Sequence, residues 1–521
     1  MKSLKCIVMA FVLIFSVAFF SSCDANNRQV IIINVYDEIH SLDPLLASNS
    51  TEIAMAHAAF YNLFEFDEDG EIAPLAAKNY SFTLDALTIE LHQDLYWANG
   101  DKLTADCFLF SLQRAIKIAD NSPLTFYLEP IKNARNIMNG TAPYSELGVS
   151  INDEFSLTIH FEVGQVNENF LHTLTLPIAA PTNRAFFENT RGRYGLTHYH
   201  TLTNGAYTFT TFTDSLIRLR PNANHHDETL NSGINLVPTS QNIDATNFVD
   251  SRHAHLAIGR AFVFSDTVSL PFLEVYQEIY ALHTNPSNKY LSAANIHSAL
   301  NLAIDNLQLK EQLNDLLSVT CNLTASDITF RGRQIPSELL RQDCSTLHSF
   351  NPTLALELFQ GVFPTGTDTP SITLLFEDVP ELQQAAAQIA QSWQAHLNFH
   401  VRIVGLQRGE LLRRIEGGNF DIALRPLSVP NACLVALSRE FSNTSVFTNS
   451  PQNQSSTLFA PATNYNEMLD SFEQFNSNFS HNNSLFTPLF EASARVFYQP
   501  RTLTNTPTLH PNGHINFRRL Q

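Results

Sequence analysis

Histidines, cysteines and arginines are the side chains whose spacing in this chain could support chemistry, and each points to a different kind. His198-x-His200 and His253-x-His255 would each set two imidazoles on one face of a strand, and His225-His226 adds another pair. Imidazole nitrogens suit nickel, zinc and copper. No carboxylate or cysteine completes a coordination set at recognisable spacing, so no metal and no cofactor is expected, and a metal or metal-chelate binding role stands as an alternative. Beyond Cys23 there are Cys107, Cys321, Cys344 and Cys433, none in a CxxC pair. In an oxidising compartment Cys321 and Cys344 could close a loop worth roughly 3 kcal/mol of unfolded-state entropy, or stand as two buried thiols. Arg408 and Arg425 offer planar forks of donors that suit a carboxylate or other anion, against the plainer reading that they are solvated or pair with Glu410 and Glu416. The chain has no Gly-x-Ser-x-Gly elbow, no His-Glu-x-x-His, no Walker loop and no dinucleotide fingerprint, so it does not read as an enzyme. Asp67-Glu68-Asp69 beside Gly70 reads as a solvated turn.

The N-terminus sets the compartment. Lys2 and Lys5 precede an uncharged run from Cys6 to Phe20, and Ser21-Ser22-Cys23 follows, which is the pattern of a secretion signal over residues 1–22. A spanning helix needs roughly 20 apolar residues, more than this run supplies before Ser21, Ser22 and Asp24. Phe20-Ser21-Ser22-Cys23 resembles a bacterial lipoprotein box with Phe20 in place of the usual Leu, which implies lipidation of Cys23 and a tether over 23–29. Ordinary signal-peptidase cleavage near Ser22 is the alternative. Acyl chains hold a protein at a membrane surface because each buried methylene contributes roughly 0.8 kcal/mol.

The remaining length exceeds what one core serves and predicts at least two lobes. A net charge of −19 without a basic run argues against nucleic acid. Val30 to Val35 reads as a buried strand that opens the folded body. Thr88 to Leu91 reads as a strand, Ala98 to Asp101 as a turn, and Thr104 as the N-cap of a helix whose Phe108, Leu112, Ala115, Ile116 and Ala119 share one face. A second helix is predicted from Asn295 to Leu313. The clearest pattern lies between Ser371 and Leu424: strand Ile372–Phe376, helix from Pro380, strand Val401–Val404, helix Gly409–Ile415, strand Phe420–Leu424. That alternation predicts a parallel sheet and an α/β lobe. The region from Asn34 to His255, with shorter alternating segments, predicts a separate α+β lobe.

Trp97-Ala98-Asn99-Gly100-Asp101-Lys102-Leu103-Thr104-Ala105-Asp106 with Phe110-Ser111 and Arg114 resembles the signature of bacterial extracellular solute-binding proteins of the peptide/nickel ABC-transporter family, the oligopeptide-binding lipoproteins among them. Leu42-Asp43-Pro44, Asn62-Leu63-Phe64, Asp69-Gly70, Pro74-Leu75-Ala76, Asn204-Gly205-Ala206-Tyr207, Ala299 to Asp305, Gly418 to Ala423 and Pro511-Asn512-Gly513 with Phe517 follow the same family in order, with Ala206 where it has Pro. The matched residues themselves, Trp97, Phe110, Leu300 and Ile304 among them, read as core and corner positions. The resemblance implies a mixed α/β, two-lobed periplasmic-binding-protein fold of class II. Lobe I would span 30–270 plus 495–521, with an extra subdomain at about 60–170, and lobe II would span 271–494. It implies a monomer at the cell surface or in the periplasm that captures a peptide or related small solute in the interlobe cleft and delivers it to an ABC permease. A solute sensor or surface lipoprotein on the same fold is an alternative.

The family's peptide-binding members hold the ligand's α-amino group with an aspartate shortly after the Phe-Asp-Ile-Ala strand. Here that position holds Pro430, and the neighbouring tryptophan position holds Leu427. A buried ammonium without its carboxylate loses roughly 1.5–3 kcal/mol. With Arg408 and Arg425 in the region instead, the expected ligand carries a carboxylate or other anionic group. Tyr127 matches a stretch that supplies a cleft tyrosine from the first lobe, which completes the expected ligand set of Tyr127, Arg408, Arg425 and Leu427.

Overall fold

The computed structural model describes residues 28–428 and 466–521, leaving out 68, 119–123, 167, 169, 226–228, 241–242, 261–262, 265–268, 313–316, 321, 323, 328, 331–332, 337–338, 340–349, 367–368, 474–485 and 512. Its strands in chain order are β1 (Val30–Val35), β2 (Phe64–Phe66), β3 (Ile72–Pro74), β4 (Ala77–Phe82), β5 (Ala86–Leu91), β6 (Val149–Asp153), β7 (Ser156–His160), β8 (Tyr207–Thr213), β9 (Leu216–Pro221), β10 (Gly233–Pro238), β11 (Leu256–Arg260), β12 (Phe272–Thr284), β13 (Leu317–Val319), β14 (Thr329–Phe330), β15 (Arg333–Gln334), β16 (Ile372–Glu377), β17 (Val401–Leu406), β18 (Ile422–Ser428) and β19 (Phe486–Tyr498).

A single sheet in the order β17-β16-β18-β12-β19-β11-β1-β10-β9-β8 runs through the protein, with β13 also paired to β19. One half, β17-β16-β18, is parallel as the alternating pattern predicts. The other is mixed, with β1 parallel to both β10 and β11 and the β10-β9-β8 edge antiparallel. Two 13-residue strands, β12 and β19, join the halves. The inner portion of β19 pairs with β11 through Leu256↔Tyr498 to Arg260↔Ala494, and the outer portion of β12 with β18 through Glu278↔Ser428 to Thr284↔Ile422. Between these portions the β12–β19 register slips, because Gln277 is an extra residue between Tyr276↔Ser493 and Glu278↔Ala492. A bulge of this kind bends the strand and raises its local twist.

The parallel half is covered by helices whose apolar spacing dictates where they pack. Pro380–Leu397 begins with Pro380 in its first turn, where a missing N–H costs nothing, and ends at Asn398 in the left-handed conformation, φ 50°. Leu382, Ala385, Ala386, Ile389, Trp393 and Leu397 are its buried stripe, and the Trp393 indole donates to Leu300 O at 2.8 Å. The single helix expected from Asn295 to Leu313 is instead two, Ala294–Leu302 and Asn306–Gln312. Asp305 is the cause: its carboxylate accepts from the Leu307 and Gln308 amides at 3.0 and 3.1 Å, so the chain restarts there.

In the other half, β4-β5-β7-β6 form a separate antiparallel sheet. The helix Ala105–Lys117 packs in the same apolar cluster as this sheet, beside the Trp97 corner. Gly100 takes φ 90° in that corner and Trp97 is fully buried. Thr104 stands at the N-cap position but its side chain makes no capping bond, and its hydroxyl lies 3.6 Å from Cys107 Sγ. Motif pieces far apart in sequence meet in this half. Arg114 is ion-paired with Asp43 and donates to Thr182 Oγ1 at 2.8 Å, both ionic side chains being buried. Burial alone raises the Asp43 carboxyl above its ordinary value, and the Arg114 contact opposes that. The Asn204 side chain holds both backbone groups of Tyr61, and at Gly205 a Cβ would stand 2.6 Å from the Ala59 carbonyl carbon. These matched residues thus work as core, corner and joint.

Candidate functional site

Where the two halves face each other lies a cavity of about 780 Å³. Its walls come from strand ends: Tyr36 to His40 follow β1, Thr239 and Ser240 follow β10, Asp378 follows β16 and Gln407 follows β17, while Thr213 and Asp214 come from the antiparallel β8–β9 turn. Ligands of open α/β sheets collect outside the carboxyl ends of the strands, because backbone and loop groups there are left unpaired by the sheet. Asp37, Glu38, Asp214 and Asp378 make the lining acidic. Asp37 is held by the Thr51 amide and hydroxyl at 3.2 and 2.7 Å, whereas the Glu38 side chain is 82% exposed. Sequence reasoning passed over these four carboxylates. The signal that could have found them was their position just past strand ends in each half.

Of the expected ligand residues, none lines that cavity: Arg425 and Leu427 share a face of β18, Tyr127 lies in the apolar cluster that contains Leu427, and Arg408 is held apart. Tyr127, on the turn Thr125–Leu128, is buried with its ring 5.9 Å from that of His172. It belongs to the same continuous apolar cluster as Leu427, Ile279 and Ala281, so the first half and the β12–β18 surface share one core there. Leu427 pairs with Ile279 and Arg425 with Ala281, which puts Arg425 on the same face of β18 as Leu427, two residues away. Arg425 is itself buried. Nearby, burial first and the Arg425 charge second hold His283 neutral down to about 3.

Arg408 opens the helix Arg408–Glu416 and is committed to carboxylates within the protein. It bonds Glu278 with one guanidinium nitrogen and Glu377 Oε2 with the other, the latter at 3.1 Å. Arg260 from β11 also grips Glu377, at 2.7 and 2.5 Å. The Tyr280 hydroxyl accepts from Arg260 at 3.0 Å and lies 2.9 Å from Glu278 Oε2. Burial works to raise the Glu377 carboxyl, but Arg260 and Arg408 outweigh it and pull it down to about 2. Burial, with the charges of Glu278 and Glu377, raises the Tyr280 hydroxyl well above its ordinary value. Glu410, the partner expected for Arg408, bonds Arg413 and Arg414 instead.

The His-x-His pairs do not form strand-face sites. His198 and His200 lie on a single 3-10 turn, His200 against the Thr197 hydroxyl at 2.7 Å. His255 accepts from the Ile32 amide at 3.0 Å through Nδ1, and His253 is held by Ser251 at 2.8 Å. His225 lies edge-on to Tyr61, and His226 is outside the described residues. Cys107 is a buried free thiol. Cys23, Cys321, Cys344, Cys433 and Pro430 fall outside the described residues. Among the described residues no helix is long and apolar enough to cross a membrane.

Comparison with known proteins agrees with this geometry. The chain is 23% identical over 456 residues to the dipeptide-binding protein of Lactococcus lactis, covering 81% of each chain. The structure of Listeria monocytogenes OppA bound to peptide superposes with a TM-score of 0.76 over 95% of this chain and 99% of that one, at 17% identity. The Escherichia coli murein tripeptide-binding protein MppA gives 0.73 at 19% identity, over 94% of this chain and 96% of that one. The unliganded open form of MppA gives 0.60 at the same identity, over 91% and 93%. The fold is therefore the two-lobed one of peptide-binding proteins. The family described as bacterial extracellular solute-binding proteins, family 5, matches residues 71–431, and the chain belongs to it.

Proposed function

We propose that this protein is the substrate-binding lipoprotein of an ABC importer, which encloses a peptide between its lobes and passes it to a membrane permease. The observation that carries this reading is the acidic cavity between strand ends of both halves, with β12 and β19 linking those halves across a bulge. Lobe I would comprise 30–270 and 495–521, with the subdomain at about 60–170, and lobe II 271–494. A free peptide is a zwitterion. Its ammonium suits the wall of Asp37, Glu38, Asp214 and Asp378, a substitute for the aspartate that Pro430 replaces. Its carboxylate suits Arg425, with Tyr127 and Leu427 offering apolar contact to side chains. Arg408 would reach the ligand only by exchanging Glu278 or Glu377 for it. The names of the relatives, dipeptide-, oligopeptide- and murein-peptide-binding, support the ligand class. The lower score against the unliganded open form of MppA supports a lobe arrangement that differs from that open form.

Cys23, in the order Phe20-Ser21-Ser22-Cys23, would carry the lipid that keeps the protein beside its permease, as a monomer outside the cytoplasm. Metabolic labelling with a fatty-acid analogue, lost in Cys23→Ala, checks the anchor. Native mass spectrometry of freshly purified protein, then denaturation and identification of the released molecule, checks the cargo. A peptide is expected, whereas a metal chelate or sugar would overturn the reading. Calorimetry with that cargo should show Arg425→Ala weakening binding by tenfold or more, and unchanged affinity removes Arg425 from the site.

A further inference from the structure

Among the described residues the histidines that pair in the sequence do not converge, but three that are scattered do. His57 belongs to the helix Ser50–Ala59, while His510 and His514 flank a turn near the end of the chain. That turn is closed by Gly513 N to His510 O at 2.7 Å and His510 N to His514 O at 2.7 Å, with Gly513 at φ 81°, so the two imidazoles are brought side by side. Their rings stack with centroids 4.3 Å apart. The His57 ring stands edge-on to both, at 4.7 and 4.8 Å. One nitrogen from each of the three lies within 4.8 Å of the others, the one such group among the described residues.

We propose that His57, His510 and His514 form a binding site for a zinc-class divalent cation, separate from the interlobe cleft. A second observation points the same way. His514 is 3% exposed, and neither of its ring nitrogens, nor His57 Nε2, has a hydrogen-bond partner among the described residues. Buried polar nitrogens are ordinarily satisfied, and a metal ion satisfies lone pairs that no donor reaches. The set has the right chemistry. Neutral imidazole is the ligand form, and burial holds all three rings far below the ordinary histidine value, His57 to about 3 with help from Arg518 and His172. Three nitrogens around one tetrahedral ion at about 2.0–2.1 Å stand about 3.4 Å apart, so modest rotations of the rings close the set.

The fourth position is also provided for. His57 and His510 line a cavity of about 370 Å³, together with Glu65, Asp67 and Arg518, which gives room for a water and a path of entry. Arg518 would repel a dication, but Glu65 meets its charge at 2.7 Å. Imidazole donors without oxygen ligands favour zinc, copper or nickel over calcium or magnesium.

The test uses the full mature protein stripped with a chelator and titrated with Zn(II), then with Co(II) as a spectroscopic stand-in. One equivalent is expected, with the visible absorption of tetrahedral Co(II). His57→Ala and the near-isosteric His514→Gln should each weaken binding at least tenfold while leaving affinity for the cleft ligand unchanged. No stoichiometric uptake by the wild type would overturn the site, and so would uptake that both folded variants retain. Should a variant fail to fold, an anomalous-scattering peak at the zinc edge in a soaked wild-type crystal decides: between the three rings supports the site, anywhere else overturns it.

Discussion

His283 shows what burial does to a single residue. It lies on β12, 4% exposed, with Phe420 5.0 Å from its ring and the Arg425 charge beside it. Its folded-state value of about 3 is below the 6.5 it takes in an unfolded chain. A depressed histidine contributes stability that is complete above 6.5 and is lost as pH falls from there toward 3, since the unfolded chain binds the proton first. Between pH 7 and 5 that loss is about 2 kcal/mol. Urea titrations at the two pH values should show His283→Phe removing most of that difference; an unchanged difference assigns the acid sensitivity elsewhere. Glu377 has the same sign in a lower window. Its contribution is present above the ordinary carboxyl value of 4.5 and lost as pH falls toward about 2. Removing one member of a buried ion network leaves the others uncompensated. Glu377→Gln should therefore cost on the order of 3 kcal/mol at pH 7, and a cost below about 1 kcal/mol would show Arg260 and Arg408 resolvated at little expense.

Elements formed where local pattern and tertiary packing agree, and differed from expectation where one side chain decides. The β16–β18 half was legible because strand and helix periods alternate cleanly there, and Ile372–Glu377, Pro380–Leu397, Val401–Leu406 and Arg408–Glu416 lie within two residues of expectation. The break at Ala303 to Asp305 was hidden, because Ile296, Leu300, Ala303 and Leu307 keep helical spacing straight through it. Asp305→Ala removes the acceptor for two amides and should lower stability by about 1 kcal/mol in urea unfolding. No loss would mean that packing alone sets the break. Site geometry was less legible for a related reason. Arg408 was weighed against its near neighbour Glu410, yet its partners lie 130 and 31 residues away, brought in by the sheet order β16-β18-β12. His57 and His510 are 453 positions apart, a separation no spacing rule spans.

The whole molecule turns on how its halves are held. The β12–β19 register slips at Gln277, between the portion beside β11 and the portion beside β18, and again between Tyr280 and Ala281, so bending should concentrate in that stretch. Across that point the ion network acts as a clasp: Arg260 reaches from β11 to Glu377 at the end of β16, and Glu377 is shared with Arg408. These contacts join strands on opposite sides of the bulge, so under the proposed function they would favour the closed arrangement before any ligand arrives. A ligand that binds the closed state is then opposed by a smaller conformational cost, and its apparent affinity scales with the closed fraction. Arg260→Ala should shift the ligand-free protein toward the open form, increase its radius of gyration by X-ray scattering, and weaken cargo binding by roughly tenfold, an amount equal to about 1.4 kcal/mol. Saturating cargo should restore the wild-type radius, because the ligand supplies the missing differential contact. If the variant matches the wild type in both radius and affinity without cargo, the clasp is a local stabiliser within the sheet, and closure is governed by the ligand alone.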